Sequence, residues 1–147
     1  GTLELRDFTS LNDRDGKYVA MGETVRRYFG ARRSNVFMGV SLSHDFTDAQ
    51  VWEYSGTMFN TGCELEFPGG VSLYGRVRYT SNDYEKKEAL APYKRTDTQN
   101  QMTVGLNKRI TAWWSLDANY QRTGNKSTFG LYQYDRDVAT LSTSLTF

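Results

Sequence analysis

Long runs in which apolar and polar residues alternate constrain this chain more than any other feature of its sequence. From Val138 to Phe147 the odd positions are mostly apolar and the even positions are mostly hydroxyl residues. Successive side chains of a β-strand point to opposite sides, whereas an amphipathic helix repeats every three to four residues. The alternation therefore predicts strands with one apolar and one polar face, and helical periodicity is nearly absent.

The alternation recurs along the chain and predicts eight strands in a single domain over residues 1–147. Short connections at 30–34, 68–70 and 110–113 alternate with long polar connections at 9–17, 45–54, 82–100 and 123–135. Sorting short turns to one side and long loops to the other is typical of outer-membrane barrels. The predicted strands cover residues 2–8, 18–29, 36–43, 57–67, 71–80, 101–107, 114–121 and 138–147.

The direction of the apolar face separates a soluble sandwich or barrel from a transmembrane barrel. Aromatic residues cluster at both ends of the predicted strands, as amphipathic rings do at the two membrane interfaces. We therefore predict an all-β fold, an antiparallel up-and-down transmembrane β-barrel of eight strands in the bacterial outer membrane, with short periplasmic turns and long extracellular loops. The predicted aromatic girdles comprise Tyr28, Phe29, Phe67, Trp113, Trp114, Tyr79, Tyr120 and Phe147.

Composition excludes several other functions. A single cysteine, Cys63, and a single histidine, His44, exclude an internal disulfide framework and a cysteine-based or two-histidine metal site. The sequence has no phosphate-binding glycine loop and no nucleophile elbow, so we expect no cofactor, no metal and no enzymatic activity. The net charge of +1 argues against a nucleic-acid partner. Gly1 is not preceded by an initiator Met or a signal-peptide pattern, which predicts a mature, processed or recombinant form.

Charged residues in mid-strand lie on the predicted polar faces. The turn at Pro68 to Gly70 would place Glu64 opposite Tyr74 or Arg76. Because side chains fill the lumen of an eight-stranded barrel, buried charges there have to pair. We predict that these residues form an ion-pair network in the lumen, and the alternative is that they line a wider pore and set its selectivity. The residues are Glu64, Glu66, Arg76, Arg78 and Asp117.

The segment from Tyr18 to Phe29 fits a lipid-facing strand poorly. Its odd positions include Glu23 and Arg27, and its even positions include Arg26. An Arg at the bilayer midplane costs about 2–4 kcal/mol. Either a β-bulge shifts the register here, or this wall contacts a protein partner.

The long connection 82–100 is the candidate surface-binding loop. Its mixed charges and tyrosines are suited to recognition at the end of a rigid scaffold. The candidate binding residues are Tyr84, Lys86, Lys87, Tyr93, Lys94 and Arg95.

The end of the chain resembles bacterial outer-membrane proteins. Phe147, with Leu145, Thr143 and Leu141 at alternating positions before it, is similar to the C-terminal signal that the barrel-assembly machinery recognises. The last third resembles the closing strands of surface lipoprotein assembly modifiers and of polysaccharide-export barrels fused to tetratricopeptide repeats. That resemblance lies in Arg95-Thr96-Asp97, Val104-Gly105-Leu106, Trp114-Ser115-Leu116, Asn125-Lys126-Ser127 and Tyr132-Gln133-Tyr134-Asp135-Arg136.

These resemblances imply more than one function. Eight strands in about 150 residues resemble the small outer-membrane barrels that serve as anchors, adhesins and occasional lipid-modifying enzymes. The first expectation is a non-enzymatic scaffold that presents loops for binding, in contact with outer-membrane lipids and lipopolysaccharide. The alternatives are the C-terminal part or a subunit of a larger export barrel, and an outer-leaflet lipid-modifying enzyme. Pairing of 2–8 with 138–147 would close the barrel at eight strands and exclude the export alternative for this chain.

Overall fold

The chain forms one antiparallel sheet in which every strand is hydrogen-bonded to the strands that precede and follow it in sequence. The structure, a computed structural model, describes residues 1–6, 15–30, 34–87 and 93–146. None of these residues belongs to a helix long and apolar enough to cross a membrane. The strands are β1 (Thr2–Arg6), β2 (Gly16–Phe29), β3 (Ser34–Thr47), β4 (Tyr54–Phe67), β5 (Val71–Tyr84), β6 (Thr96–Arg109), β7 (Trp114–Ser127) and β8 (Tyr134–Leu145).

The strands extend further toward the long loops than the alternation predicted. β2 to β7 have 14 residues each, and β6 begins at Thr96 rather than near residue 101. The added ends are polar on both faces, so they carry no alternating signal. Backbone N–H and C=O groups pair regardless of side-chain polarity, and the ladder therefore continues where the hydrophobic pattern stops.

The two faces of the sheet differ in composition as the alternation predicted. We define the polar face by Thr24, Asn60, Arg76, Gln101 and Gln121, and the apolar face by Met21, Val40, Val77, Val104 and Leu141. The first set lines a common groove, so the sheet is concave on its polar side. The second set is 46–79% exposed.

Burial in this sheet is the inverse of that in a soluble domain. Among the described residues no hydrophobic side chain is buried, whereas the buried residues are polar or charged. A soluble protein places large aliphatic side chains inside and leaves most charged ones exposed. The buried polar residues on the polar face include Asn35, Asp45, Arg95, Asp97 and Thr123.

The sheet has two free edges, which differs from the predicted closure. The antiparallel up-and-down order is confirmed, but β1 is hydrogen-bonded to β2 and β8 to β7, and the sheet is not closed. The edges differ in length, because β1 has five residues and β8 has twelve. β1 pairs with Gly16 to Ala20 of β2.

The segment from Tyr18 to Phe29 has no bulge. Its register with β3 is continuous over fourteen pairs, from Gly16 opposite Thr47 to Phe29 opposite Ser34. The register-shift explanation for its charges is therefore wrong. Glu23 and Arg27 share the apolar face with Met21, because residues two apart in a strand point the same way.

Gly69, in the turn between β4 and β5, has a φ of 82°, and an added Cβ would meet only the Lys108 Nζ at 3.9 Å. We expect Gly69→Ala to lower the free energy of unfolding in detergent micelles by about 1–2 kcal/mol, because a left-handed backbone disfavours any Cβ. Gly130→Ala is the matched control, since its Cβ enters open space and its φ is not positive. Equal stability of the two variants would contradict this account.

Candidate functional site

The candidate site is the concave polar face, which holds two hydrogen-bonded clusters and the groove between them. One cluster lies toward the short turns and the other lies at the loop ends of the strands. The groove has a volume of about 550 Å³ and is lined from β2 across to β7.

The turn-end cluster links β5 to β7 across the intervening strand. The Tyr74 hydroxyl donates to the Asp117 carboxylate, at 3.0 Å to Oδ1 and 3.2 Å to Oδ2, and the Asn119 amide donates to Oδ1 at 3.0 Å. Tyr74 can cross β6 because Gly105 lies opposite it in the register. A Cβ on Gly105 would lie 2.3 Å from the Tyr74 Cζ, so the contact requires glycine there.

The loop-end cluster is built around a buried ion pair. The Arg95 Nε donates to the Asp97 carboxylate at 3.0 and 2.9 Å, and Nη2 donates to Oδ2 as well. Arg95 and Asp97 are only 8% and 7% exposed. The Arg95 guanidinium carbon lies 4.3 Å from the ring centroid of Tyr84 and 3.4 Å from that of Tyr132. Desolvated cation–π contacts and a two-donor ion pair together hold the guanidinium in one orientation.

The protonation states of this cluster are fixed at neutral pH. Burial raises the pKa of the Tyr84 hydroxyl to about 12, against the lowering effect of Arg95. Burial lowers the pKa of Arg95. The hydrogen bonds that Arg95 donates to Asp97, and the charges of Asp97 and of the neighbouring tyrosines, raise that pKa above its usual value overall. Tyr84 therefore stays neutral and the Arg95 guanidinium stays charged at neutral pH.

Hydrogen bonds hold the connection between β7 and β8 next to this cluster. The Asn125 amide donates to the Tyr132 carbonyl at 2.6 Å, and the Gln133 amide donates to the Ser127 carbonyl at 2.7 Å. From the facing loop, the Tyr93 hydroxyl donates to the Thr128 carbonyl at 3.3 Å, and its ring stacks on Phe129. Three of the short motifs that carried the family resemblance, those at 95–97, 125–127 and 132–136, thus meet at one end of the sheet.

Residues 3–147 match the family profile of the surface lipoprotein assembly modifiers. The chain belongs to this family. The resemblance drawn from the last third is confirmed and extends over the whole chain. Comparison with curated proteins and with solved structures gave no match. The family description suggests a role in the assembly of surface lipoproteins and is consistent with the cell envelope of a Gram-negative bacterium.

The predicted surface-binding loop divides into buried and exposed residues. Arg95 is buried in the ion pair with Asp97, and Tyr84 packs against Tyr54 with ring centroids 5.4 Å apart. The Arg-x-Asp spacing was the available signal, because it places both side chains on one face of a strand. The candidates that the structure leaves exposed are Lys86, Lys87, Tyr93 and Lys94.

The predicted lumen charges all lie on the polar face. Glu64 is opposite Tyr74, as expected from the turn. Within the described ranges, however, no ion pair at 4.0 Å or less joins any two of them. Asp117 accepts hydrogen bonds from Tyr74 and Asn119 instead. An ion-pair network among Glu64, Glu66, Arg76, Arg78 and Asp117 stays a prediction.

The predicted girdle residues are distributed over both faces. Tyr28 shares the polar face with Arg26, and Tyr120 lies in the middle of β7 rather than at its loop end. In the strand that carries the predicted assembly signal, Leu141, Thr143 and Leu145 share the apolar face, and Thr143 accepts a hydrogen bond from Trp114 at 2.8 Å. Phe147 lies outside the described residues. The girdle residues on the apolar face or in the turns beside it are Phe29, Phe67, Tyr79, Tyr120, Trp113 and Trp114.

His44 belongs to a polar bridge at the loop end of the apolar face. Its Nδ1 lies 3.0 Å from the Ser55 hydroxyl and its Nε2 lies 3.0 Å from the Glu53 carboxylate. Ser55 also donates to Glu85 at 3.4 Å, so the bridge links β3 and β4 to the residue after β5. Among the described residues no three His, Cys, Asp or Glu side chains are placed to hold a metal ion.

We expect Gly105→Val to lower the free energy of unfolding by about 1–3 kcal/mol, because displacing Tyr74 leaves Asp117 with fewer donors. Gly75→Val is the matched control, since a Cβ at Gly75 meets no atom within 4 Å. Denaturant unfolding in micelles measures both variants. If Gly75→Val were as destabilising as Gly105→Val, the Tyr74 bridge would not be the cause.

Arg95→Met should lower the free energy of unfolding by about 3 kcal/mol, because it leaves the buried Asp97 carboxylate without its partner. Lys94→Met, at the exposed neighbouring residue, serves as the control and should change the free energy of unfolding by less than about 0.5 kcal/mol. The same unfolding measurement applies, and similar stability of the two variants would show that the buried pair contributes nothing.

Proposed function

We propose that this sheet is part of the wall of a transmembrane β-barrel in a Gram-negative outer membrane, and that the barrel assists the assembly of lipoproteins at the cell surface. The observation that carries the proposal is the inverted burial of the sheet. Large apolar side chains such as Met21, Leu42 and Leu141 are 62–79% exposed on a continuous face. An apolar surface of this extent needs an apolar partner, and lipid supplies one along a barrel wall.

Strand length supports this placement. Fourteen residues span roughly 46 Å at about 3.3 Å per residue, or about 33 Å along the membrane normal at a tilt of about 45°. The hydrocarbon core is about 30 Å thick. The loop ends of the strands, where Tyr84, Arg95 and Tyr132 meet, then lie at the outer boundary of the hydrocarbon core.

The free edges favour a barrel of more than eight strands. In lipid each unpaired backbone group costs several kcal/mol, so the twelve-residue edge of β8 needs a partner strand. In this open sheet no described strand pairs with that edge. This supports the larger export barrel over the closed eight-stranded scaffold. A wider barrel encloses an aqueous lumen, which the polar face would line.

In this larger barrel, the wall from Tyr18 to Phe29 would contact protein rather than lipid. Glu23 and Arg27 lie on its apolar face. A neighbouring strand with opposite charges would lower the cost of both side chains. Outer-membrane lipids, lipopolysaccharide and, during insertion, the barrel-assembly machinery complete the proposed partners of this non-enzymatic protein.

The membrane placement is tested by a pair of adjacent substitutions in β3. Val40 lies on the apolar face and is 52% exposed, and Ser41 lies on the polar face. Val40→Lys should reduce the amount of protein in the outer-membrane fraction at least tenfold, because a midplane Lys costs about 2–4 kcal/mol on the lipid face. Ser41→Lys should leave that amount within twofold.

The same cells test the lipoprotein role. Loss of the protein should reduce the fraction of surface lipoprotein that external protease can digest, and the wild-type gene should restore it. Equal outer-membrane levels of the two lysine variants would overturn the membrane placement. Unchanged protease accessibility in cells without the protein would overturn the lipoprotein role.

A further inference from the structure

We infer that the groove in the polar face is a binding track for extended, acidic polypeptide segments. The inference deepens the proposed function, on which it rests, by naming the chemistry that the lumen wall recognises. Three guanidinium side chains line the groove and none of its lining residues is acidic. The three are Arg26, Arg76 and Arg78.

The backbone register brings these arginines to two neighbouring rows of the sheet. Arg26 is opposite Phe37, and the same row continues through Gly62 to Arg76. The next row toward the loops contains Arg78, opposite Asn60 on one side and Gln101 on the other. Arg76 and Arg78 are therefore roughly 7 Å apart along β5, and Arg26 lies roughly 14 Å from Arg76, three strand spacings across the sheet.

The nearest carboxylates of the polar face lie in other rows, closer to the short turns. Glu64 is opposite Tyr74, one row below Arg76, and Glu66 is one row further down, opposite Ser72. Asp117 is occupied by the hydrogen bonds from Tyr74 and Asn119. The arginines thus occupy the middle of the polar face, with Glu64 and Glu66 toward the turns and with Asp45 and the paired Asp97 toward the loops.

The arginines keep donors available for a ligand. Arg76 and Arg78 are exposed, and within the described residues neither forms an ion pair. The Arg76 guanidinium lies 5.8 Å from the centre of the Tyr74 ring. Arg26 is oriented by one hydrogen bond to Asn35, of 2.7 Å, and by the Phe37 ring at 4.8 Å. A guanidinium has five N–H donors, so each of the three can still bind a carboxylate through two of them.

The remaining lining residues match a polypeptide backbone. Asn60, Gln101 and Gln121 carry amides that both donate and accept, as the peptide group does. In an extended segment, side chains two residues apart point the same way and are roughly 7 Å apart, which is the spacing of Arg76 and Arg78. An acidic segment with carboxylates at alternate positions therefore fits the groove, whereas an acyl chain would leave the guanidinium groups without partners.

The test measures binding of fluorescent peptides to the protein in neutral detergent micelles by anisotropy. A twelve-residue peptide of alternating Glu and Thr should bind, and its affinity should fall as salt is raised. Peptides with Gln or Lys in place of Glu should bind at least tenfold more weakly. Arg76→Gln with Arg78→Gln should weaken binding of the Glu peptide at least tenfold.

The matched control removes the same number of positive charges from the other face of the sheet. Arg122→Gln with Lys126→Gln removes two cationic groups from the apolar face and should alter the affinity less than twofold. If the double groove variant does not fold, the single variant Arg78→Gln replaces it, with an expected loss of at least threefold. Arg76→Lys with Arg78→Lys should retain part of the binding, because charge remains while two-donor contacts are lost.

Three results would overturn the inference. These are equal affinity in the groove and control variants, equal binding of the Glu and Gln peptides, and tenfold tighter binding of a polyanionic polysaccharide than of the Glu peptide. Because binding is measured on isolated protein, it is independent of the outer-membrane fractionation of the Val40 and Ser41 variants. Failure of the track and failure of the membrane placement are therefore distinguishable.

Discussion

An unbroken backbone ladder is the constraint on which the rest of this structure depends. Between β2 and β3 and between β4 and β5, fourteen consecutive residues pair without a bulge. A slip of one residue would move every side chain of a strand to the opposite face. The ladder therefore keeps Val40 and Val77 on one side and Arg76 and Gln101 on the other across the whole sheet. The apolar wall and the polar groove are consequences of that register.

The polar face contains buried charged side chains that are stabilised by polar partners rather than by a hydrophobic core. Each buried or half-buried charged group in the two clusters has a specific partner. Asp117 accepts hydrogen bonds from Tyr74 and Asn119, and Arg95 donates to Asp97 and contacts two tyrosine rings. Fully satisfied polar networks are rigid because an unpaired buried group is costly. The clusters thus stiffen the two ends of the face, and the arginines between them stay accessible to a ligand.

Much of the fold followed from the sequence, and the candidate site followed only in part. Alternation predicted the strand order and the two faces, and the short turn predicted Glu64 opposite Tyr74 or Arg76, of which the structure has Tyr74. It did not predict the loop-end extensions of the strands, since Thr96 and Ser127 lie where both faces are polar. Arg95 looked like a free surface cation because the rings of Tyr84 and Tyr132 come from segments far away in sequence. The role of Gly105 was hidden for the same reason, because the side chain above it belongs to the neighbouring strand.

The sequence by itself determined which residues share a face, because the two-residue period of a strand is a local property that needs no partner. It also determined the family, through short motifs along the chain. Only the tertiary structure decided that the sheet stays open, that Arg95 is buried, and that Arg26 meets the row of Arg76. These outcomes depend on which distant positions pair. That pairing is set by backbone hydrogen bonds between strands, and side-chain polarity leaves little trace of it in the sequence.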